Sequence, residues 1–251
     1  KMKELYGTDS MGKTAENLVE KYNISREDQD KFAYNSHMKA YQAQCDGKFK
    51  EEIISVIIPQ RKKEDIIFSN DEFIKPNTTL ELLAKLRPAF KEKGSVTAGN
   101  SSGLNDGAAA MLIASENALA KHKLTPLARI VSSAVIGVEP KIMGIGPVKA
   151  SLKALEKAKL TLKEIDVIEI NEAFSAQALA CIRELGLKDD DRRINSNGGA
   201  IALGHPLGVS GTRIIHAAAL ELKRSEKKYA LIAMCIGVGQ GYATIIENTQ
   251  I

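Results

Sequence analysis

The chain has 251 residues, of which 44% are apolar and 26% are charged, and it carries a formal net charge of +4. This composition is typical of a globular protein with one or two domains and excludes collagen-like, low-complexity and disordered chains. No apolar run approaches the roughly 20 residues of a membrane helix, so we expect no membrane-spanning segment. The mild charge is spread along the chain and there is no Trp, which argues against a nucleic-acid partner.

Cysteine usage is sparse. Cys45, Cys181 and Cys235 form no CxxC pair, so we expect neither a disulfide framework nor a metal site. Residues 1–5 contain no apolar signal region. Together these features predict a reducing compartment, the cytoplasm.

The first part of the chain is predicted to be helical and then irregular. Thr14 and Ser25 are N-cap candidates, because their hydroxyl oxygens can accept hydrogen bonds from the first helical N–H groups. They predict helices that end near residues 22 and 44. Short β-branched runs predict strands at 53–58 and 66–68, and a short helix is expected at 78–86.

After Gly99 the pattern changes to alternating strands and helices. Ser115 is a candidate helix cap, and Thr161 with Glu164 forms a capping-box signature. We predict strands at 108–114, 129–138, 166–170, 229–234 and 242–246, and helices at 115–122, 148–159, 173–185 and 210–223. This alternation predicts a layered α/β domain.

Four loops of small and polar residues follow apolar elements, where functional groups tend to lie. They are 97–107, 171–174, 195–208 and 235–241. Each also has a simple structural interpretation. His205 could be a loop histidine, Cys235 a small core residue and Asn171 a helix cap. The glycines at 237, 239 and 241 could form a tight turn, and they are not a dinucleotide loop because a strand follows them.

Taken together, these loops resemble the thiolase family. The similarity runs from about Tyr6 to Glu247. The matching motifs are Ser10-Met11-Gly12-Lys13-Thr14-Ala15-Glu16-Asn17, Leu86-Arg87-Pro88-Ala89-Phe90, Asn171-Glu172-Ala173-Phe174, Gly198-Gly199-Ala200-Ile201-Ala202-Leu203-Gly204-His205-Pro206 and the Cys235 loop. The resemblance implies a thiolase-like layered α/β core, namely the second half of a duplicated core, with a loop domain.

The resemblance also implies acyl transfer on coenzyme A thioesters. One cysteine takes up an acyl group, and a second removes the α-proton of acetyl-CoA so that the carbanion attacks the acyl-enzyme. In this scheme His205 activates the nucleophilic cysteine and Cys235 is the acid/base at the α-carbon. Asn171 holds a water that forms one oxyanion site with His205, and the N–H of Gly237 contributes to a second.

Further positions correspond to family residues that bind coenzyme A or the acyl group. The pantetheine contacts are expected at Met11, Ala89, Phe90, Ala98 and Ser102. Met143 and Phe174 correspond to positions near the acyl end, and Lys75 to a basic position near the nucleotide. Ser10 stands where many acetoacetyl-CoA-specific members have a histidine, and it favours members that act on longer or dicarboxylic substrates.

No residue of this sequence aligns with the nucleophilic cysteine of the family, so we expect an incomplete enzyme. The predicted division is a loop domain at 1–103, the last strand and helix of the first core half at 104–124, and the second core half at 125–251. The expected partners are acetyl-CoA, 3-oxoacyl-CoA, CoA and the missing N-terminal half, in a homodimer or homotetramer when complete.

The expected activity is that of an acetyl-CoA C-acetyltransferase or a broader acetyl-CoA C-acyltransferase without a tightly bound cofactor. A 3-oxoadipyl-CoA thiolase is the alternative. A coenzyme A-binding or interaction module without turnover is the alternative of a different class.

Overall fold

The computed structural model describes residues 4–5 and 9–251, so Tyr6, where the motif similarity begins, lies outside the described residues. The first long elements are α1 (Met11–Tyr22) and α2 (Arg26–Cys45). Ser25 caps α2 as predicted, and its hydroxyl accepts from the N–H of Asp28 at 3.0 Å. The predicted Thr14 cap is wrong. Ser10 caps α1, because its extended backbone precedes the first turn, whereas the Thr14 hydroxyl donates back to the carbonyl of Met11.

A small exposed hairpin and a short helix follow. β1 (Val56–Ile58) pairs antiparallel with β2 (Ile66–Phe68), and every residue of both strands is exposed. The short helix α3 (Leu80–Ala84) begins after Thr79, whose hydroxyl accepts from the N–H of Leu82. These elements confirm the two strands and the helix predicted here: the strand at 66–68 has the predicted bounds, whereas the first strand and the helix are shorter than predicted.

The strand predicted at 108–114 is absent. The segment 104–114 has no regular secondary structure, and its apolar side chains lie in solvent: Leu104 is 88% exposed and Leu112 is 77% exposed. A strand needs a neighbouring strand to satisfy its backbone groups, and none of the described residues provides one here.

The remaining chain forms an α/β unit around one sheet. Its strands are β3 (Ala128–Gly137), β4 (Val167–Ile170), β5 (Tyr229–Ile236) and β6 (Gln240–Asn248), in the spatial order β3-β6-β5-β4. β6 is antiparallel to both β3 and β5, whereas β4 and β5 are parallel. The helices are α4 (Glu116–His122), α5 (Gly146–Ala158), α6 (Ser175–Glu184), α7 (Ala200–Leu203) and α8 (Leu207–Ser225).

Most sequence-based expectations in this half are confirmed. Ser115 caps α4, and Thr161 with Glu164 forms the capping box of a short 3₁₀ helix. α6 begins at Ser175, two residues later than predicted, because Phe174 keeps an extended backbone. The layered α/β arrangement is as predicted.

Both faces of the sheet are covered. Leu231 and Ala233 of β5 belong to a core cluster with residues of α5 and α6. Ala230 and Ile232 point the other way and pack with residues of α8. This alternation has the period of two that a strand imposes, and it explains why the strand sequence is apolar throughout.

The N-terminal helices are joined to this core through α6. Ser175 to Ile182 are buried without interruption. α6 lies between the sheet cluster and the helices α1 and α2, both of which pack against it. The loop at the start of α6 is therefore held from both sides, which positions the residues described next.

Candidate active site

The candidate site lies where β4 ends and α8 begins. Asn171 follows β4 directly, and its backbone N–H donates to the carbonyl of Ala233 in β5 at 3.0 Å. His205 precedes α8, and its N–H donates to the carbonyl of Gly103 at 3.0 Å. Three of the four loops predicted from the sequence therefore meet at His205 and Asn171, since Gly103, Asn171 and His205 each belong to a different one.

The side chains of Asn171 and His205 contact each other. Asn171 Nδ2 lies 3.3 Å from His205 Nε2, and His205 Nδ1 lies 2.5 Å from the hydroxyl oxygen of Ser210. The Ser210 hydroxyl donates to the carbonyl of Pro206, so it accepts from Nδ1–H. Nε2 is therefore the basic ring nitrogen, and it accepts a hydrogen bond from the side-chain amide of Asn171.

His205 is suited to act as a neutral base. Burial lowers its pKa below the ordinary value for histidine, and the positive charge of Arg213 adds to this effect. The imidazole is therefore unprotonated at neutral pH. Within the described residues, Asn171 Oδ1 is buried without a hydrogen-bond partner and is free to accept from a water molecule or a substrate.

Cys235 lies near the end of β5, two residues after Ala233 and opposite Gly241 of β6. It is partly buried, and its environment raises the pKa of its thiol to about 11. The cause is burial, which disfavours the thiolate. The thiol is therefore protonated at neutral pH and can donate a proton to a developing carbanion.

Gly237 lies in the turn between β5 and β6. A side chain at Gly237 would meet no atom within 4 Å, so the backbone there is open to an approaching molecule. At Gly239, by contrast, φ is +95° and a Cβ atom would lie 2.3 Å from the carbonyl oxygen of Val138. The turn requires glycine at 239, whereas at 237 the space where a side chain would lie is empty.

Several predicted coenzyme A contacts form one cluster beside Asn171. The rings of Phe90 and Phe174 meet edge to face at 5.9 Å. The N–H and the hydroxyl of Ser102 both donate to the carbonyl of Ala173. The Phe90 ring packs over Gly12, so closely that a Cβ atom there would lie 2.1 Å from it. α1, which begins at Met11, is therefore part of this cluster.

The other predicted contacts are more dispersed. Ala89 and Ala98 are exposed, and the N–H of Ala89 donates to the carbonyl of Val96 at 2.9 Å. Met143 is buried in the 3₁₀ helix Pro140–Ile145, which packs against α1, α6 and β5. The exposed Lys75 places its ammonium 5.1 Å from the centre of the Phe73 ring. That ring in turn covers Gly103.

The two other cysteines have different environments. Cys45 is exposed at the end of α2. Cys181 is buried in α6, and its thiol donates to the carbonyl of Gly144. Burial raises the pKa of Cys181 far above the ordinary range, so this thiol is not a reactive nucleophile.

Sequence reasoning missed three residues of the site. Ser210 orients the ring of His205, Arg213 acts on its pKa, and Glu172 is buried beside Asn171. Ser210 and Arg213 lie in the first two turns of the helix that follows His205. Their position in the sequence was the signal that could have identified them, because residues at the start of α8 must lie near His205, which precedes this helix.

Neither a metal cluster nor a membrane-spanning helix is present among the residues that the structure describes. In that part of the chain no group of three or more His, Cys, Asp and Glu side chains could hold a metal ion. None of its helices has both the length and the apolar character needed to cross a bilayer.

Comparison with protein families now identifies the chain. Residues 1–117 match the thiolase N-terminal domain, and residues 124–248 match the thiolase C-terminal domain. The chain belongs to the thiolase family. The division at 103 and 124 predicted from the sequence stays a prediction.

Thiolases of known function are similar over almost the whole chain. A β-ketoadipyl-CoA thiolase of Acinetobacter baylyi is 57% identical over 248 residues, which are 99% of this chain and 62% of that protein. An acetyl-CoA acetyltransferase of Chromobacterium violaceum is 50% identical over 98% of this chain and 62% of that protein. The chain thus spans about three fifths of the length of these thiolases.

Solved thiolase structures confirm the predicted fold. The acetyl-CoA acetyltransferase of Bacillus anthracis has a TM-score of 0.91 and 48% identity, over 95% of this chain and 60% of its own. Human mitochondrial 3-ketoacyl-CoA thiolase in complex with CoA has a TM-score of 0.89 and 51% identity, over 95% of this chain and 59% of its own.

Proposed function

We propose that this chain carries the acid–base half of a thiolase-type acyltransferase that acts on coenzyme A thioesters. The observation that supports this most directly is the contact between Asn171 Nδ2 and His205 Nε2 at 3.3 Å, anchored through Asn171 N–H to the strand that carries Cys235. A half-buried neutral imidazole, an amide with a free acceptor and a protonated thiol are among the groups that acyl transfer through a carbanion requires.

The proposed reaction divides the work among these groups. His205 removes the proton of a cysteine that then attacks the 3-oxo carbonyl, and the bond between the α-carbon and that carbonyl breaks. Cys235 gives its proton to the resulting carbanion, which leaves as acetyl-CoA. The Cys235 thiolate then removes the proton of CoA, whose sulfur takes the acyl group from the enzyme, and the protonated His205 returns its proton to the departing cysteine thiolate. Asn171 with a water, His205 and the N–H of Gly237 bind the oxygen atoms that become negative.

None of the three cysteines of this sequence matches the nucleophile of the family. Cys181 is buried with a raised pKa, and Cys45 lies on α2. We propose that the nucleophile comes from the part of a thiolase that this chain does not span. The alternative is a coenzyme A-binding module without turnover.

The substrate is proposed to be a 3-oxoacyl-CoA with a dicarboxylic acyl group, of the 3-oxoadipyl type. The expectation from the sequence named acetyl-CoA C-acetyltransferase first and this type as the alternative. The similarity to β-ketoadipyl-CoA thiolases at 50–57% identity favours the alternative. Ser10 caps α1 through its hydroxyl, and α1 packs under Phe90 beside the proposed acyl end.

A chimaera tests the proposed function. The part of the A. baylyi relative that this chain does not cover is joined to it, and cleavage of 3-oxoadipyl-CoA and acetoacetyl-CoA by CoA is measured. We expect turnover by the chimaera, with a higher kcat/KM for 3-oxoadipyl-CoA, and none by the chain alone. Turnover by the chain alone would show that a cysteine assigned no role here is the nucleophile.

Two substitutions in the chimaera separate the roles. His205→Ala is expected to slow formation of the acyl-enzyme by about 10²–10⁴-fold, the usual contribution of an acid–base group. Cys235→Ala should spare acyl transfer from an acyl-CoA but block exchange of the α-proton. His122→Ala, on the exposed α4, is the control and should leave both steps unchanged. The reverse pattern would exchange the roles of His205 and Cys235.

A further inference from the structure

Glu172 is a buried carboxylate for which the proposed reaction has no use. It follows Asn171 directly but is directed into the interior, where it is 1% exposed. The side chain of its neighbour Asn171 contacts His205, so these two adjacent side chains lie on opposite sides of the same loop.

Three donors, one from α2 and two from the 195–208 segment, converge on this carboxylate. Oε2 accepts from the hydroxyl of Ser36 at 2.6 Å and from the N–H of Ile201 at 3.2 Å. Oε1 accepts from the side-chain amide of Asn195 at 2.8 Å. Hydrogen bonds to a carboxylate are among the stronger ones, and their loss in a buried place is costly.

The glycine pair before α7 is explained by this contact. A Cβ atom at Gly199 would lie 2.3 Å from Cδ of Glu172. At Gly198, φ is +78° and a Cβ atom would lie 2.6 Å from the carbonyl oxygen of Ser36. The N–H of Gly199 also donates to the Ser36 hydroxyl. The chain before α7 therefore runs directly against the carboxylate and α2.

A series of contacts links Glu172, α7, His205 and Asn171 around the site. Glu172 accepts from the N–H of Ile201 in α7, and Gly204, the C-cap of α7, immediately precedes His205. On the other side of the same loops, Asn171 contacts His205. Glu172 therefore lies on a hydrogen-bonded path that joins the Asn171 loop to α7 and to the residue that follows it, His205.

We propose that Glu172 is a positioning residue that holds α7 against the Asn171 loop and so keeps Asn171 and His205 in contact, and that Ser36 couples this contact to α2. The consequence for catalysis rests on the proposed function. The contact itself is a property of this chain and is measured without turnover.

The test is the reaction of each histidine with diethyl pyrocarbonate, followed by mass spectrometry of its peptide across a range of pH. In Glu172→Ala we expect His205 to react at least about fivefold faster, the factor for one lost buried hydrogen bond. The midpoint of its pH profile should move up towards the ordinary value of about 6.5, because a released ring is less buried. Glu172→Gln, which keeps one acceptor oxygen, should restore part of the protection.

The matched control is Glu16→Ala. Glu16 is also a buried carboxylate that accepts two hydrogen bonds, from the N–H groups of Ser95 and Val96. This variant should leave the rate and midpoint of His205 unchanged. His216 on α8 is the internal reference, because general loosening of the fold would accelerate it together with His205.

A second variant applies if Glu172→Ala does not fold, as judged by circular dichroism. Ser36→Ala removes one donor and should accelerate His205 in the same direction by a smaller factor. A folded variant of either kind with an unchanged rate and midpoint at His205 overturns the proposal. An inactive chimaera with the expected histidine reactivity would contradict the proposed function instead.

Discussion

The C-terminal sheet and the segment before α4 contain equally apolar stretches, but only the stretch in the sheet is buried. In β5, residues 230–233 are buried between α8 on one face and α5 with α6 on the other. Residues 108–114 are also all small or apolar, yet the segment 104–114 lies in solvent without strand pairing. An apolar sequence therefore becomes a strand only where neighbouring strands complete its hydrogen bonds.

The largest expected effect comes from removing side chains in the two stretches. Leu231→Ala should lower the free energy of unfolding by about 2–5 kcal/mol, because it leaves a cavity in a closed core. Leu112→Ala should change it by less than about 0.5 kcal/mol, since the side chain is already in water. Urea denaturation of both variants measures this. Equal losses would show that the segment is buried in solution.

A second contrast concerns buried and exposed carboxyl groups. Burial raises the pKa of Glu169, in β4, to about 8, so the folded state keeps the proton between pH 4.5 and 8 while the unfolded state releases it. The wild-type fold therefore loses stability as the pH rises through this window. Glu169→Gln should be more stable by roughly 4 kcal/mol at pH 8 and about equal below pH 4.5.

The control for this prediction lies in the N-terminal part. Glu64→Gln changes an exposed carboxyl group between β1 and β2 and should leave the free energy of unfolding within about 0.5 kcal/mol of the wild type, because its side chain lies in solvent. Thermal unfolding of both variants from pH 4 to pH 8.5 is the measurement. A constant difference between Glu169→Gln and the wild type would show that Glu169 is ionised in the fold.

Cysteine alkylation compares the two parts chemically. The pKa of Cys235 is raised to about 11, which lowers its thiolate fraction at pH 7 by roughly a hundredfold relative to an ordinary thiol. Cys45 is exposed. Iodoacetamide should therefore modify the exposed Cys45 much faster than Cys235, and the rate at Cys235 should rise with pH to about 11. Equal rates at pH 7 would refute the protonated thiol.

The smallest expected effect is on association. Exposed apolar segments favour contacts between molecules, so we expect the chain to self-associate through residues 104–113. Leu112→Asp together with Ile113→Asp should lower the weight-average mass in sedimentation, while Leu152→Asp on the exposed side of α5 should not. A strictly monomeric wild-type chain at high concentration would refute this role of the segment.

Local signals in the sequence were sufficient where the physical cause is itself local. Ser25 and Ser115 cap helices because a hydroxyl and an N–H group three residues later are brought together by the first helical turn. The β-branched and apolar runs of β3 to β6 specify strands that a single chain can pair. The motifs around Asn171, His205 and Cys235 were likewise sufficient to identify the thiolase family.

Tertiary structure decided whatever depends on residues distant in sequence. The strand expected at 108–114 has the right composition, but its formation depends on partners, which no local pattern contains. The distance between Asn171 and His205 depends on two chain segments 34 residues apart. Glu172 lies in the motif just before α6, yet its side chain accepts from Ser36, 136 residues away. Such contacts form only when the whole chain packs, because a buried hydrogen bond stabilises the fold only after both partners have left water.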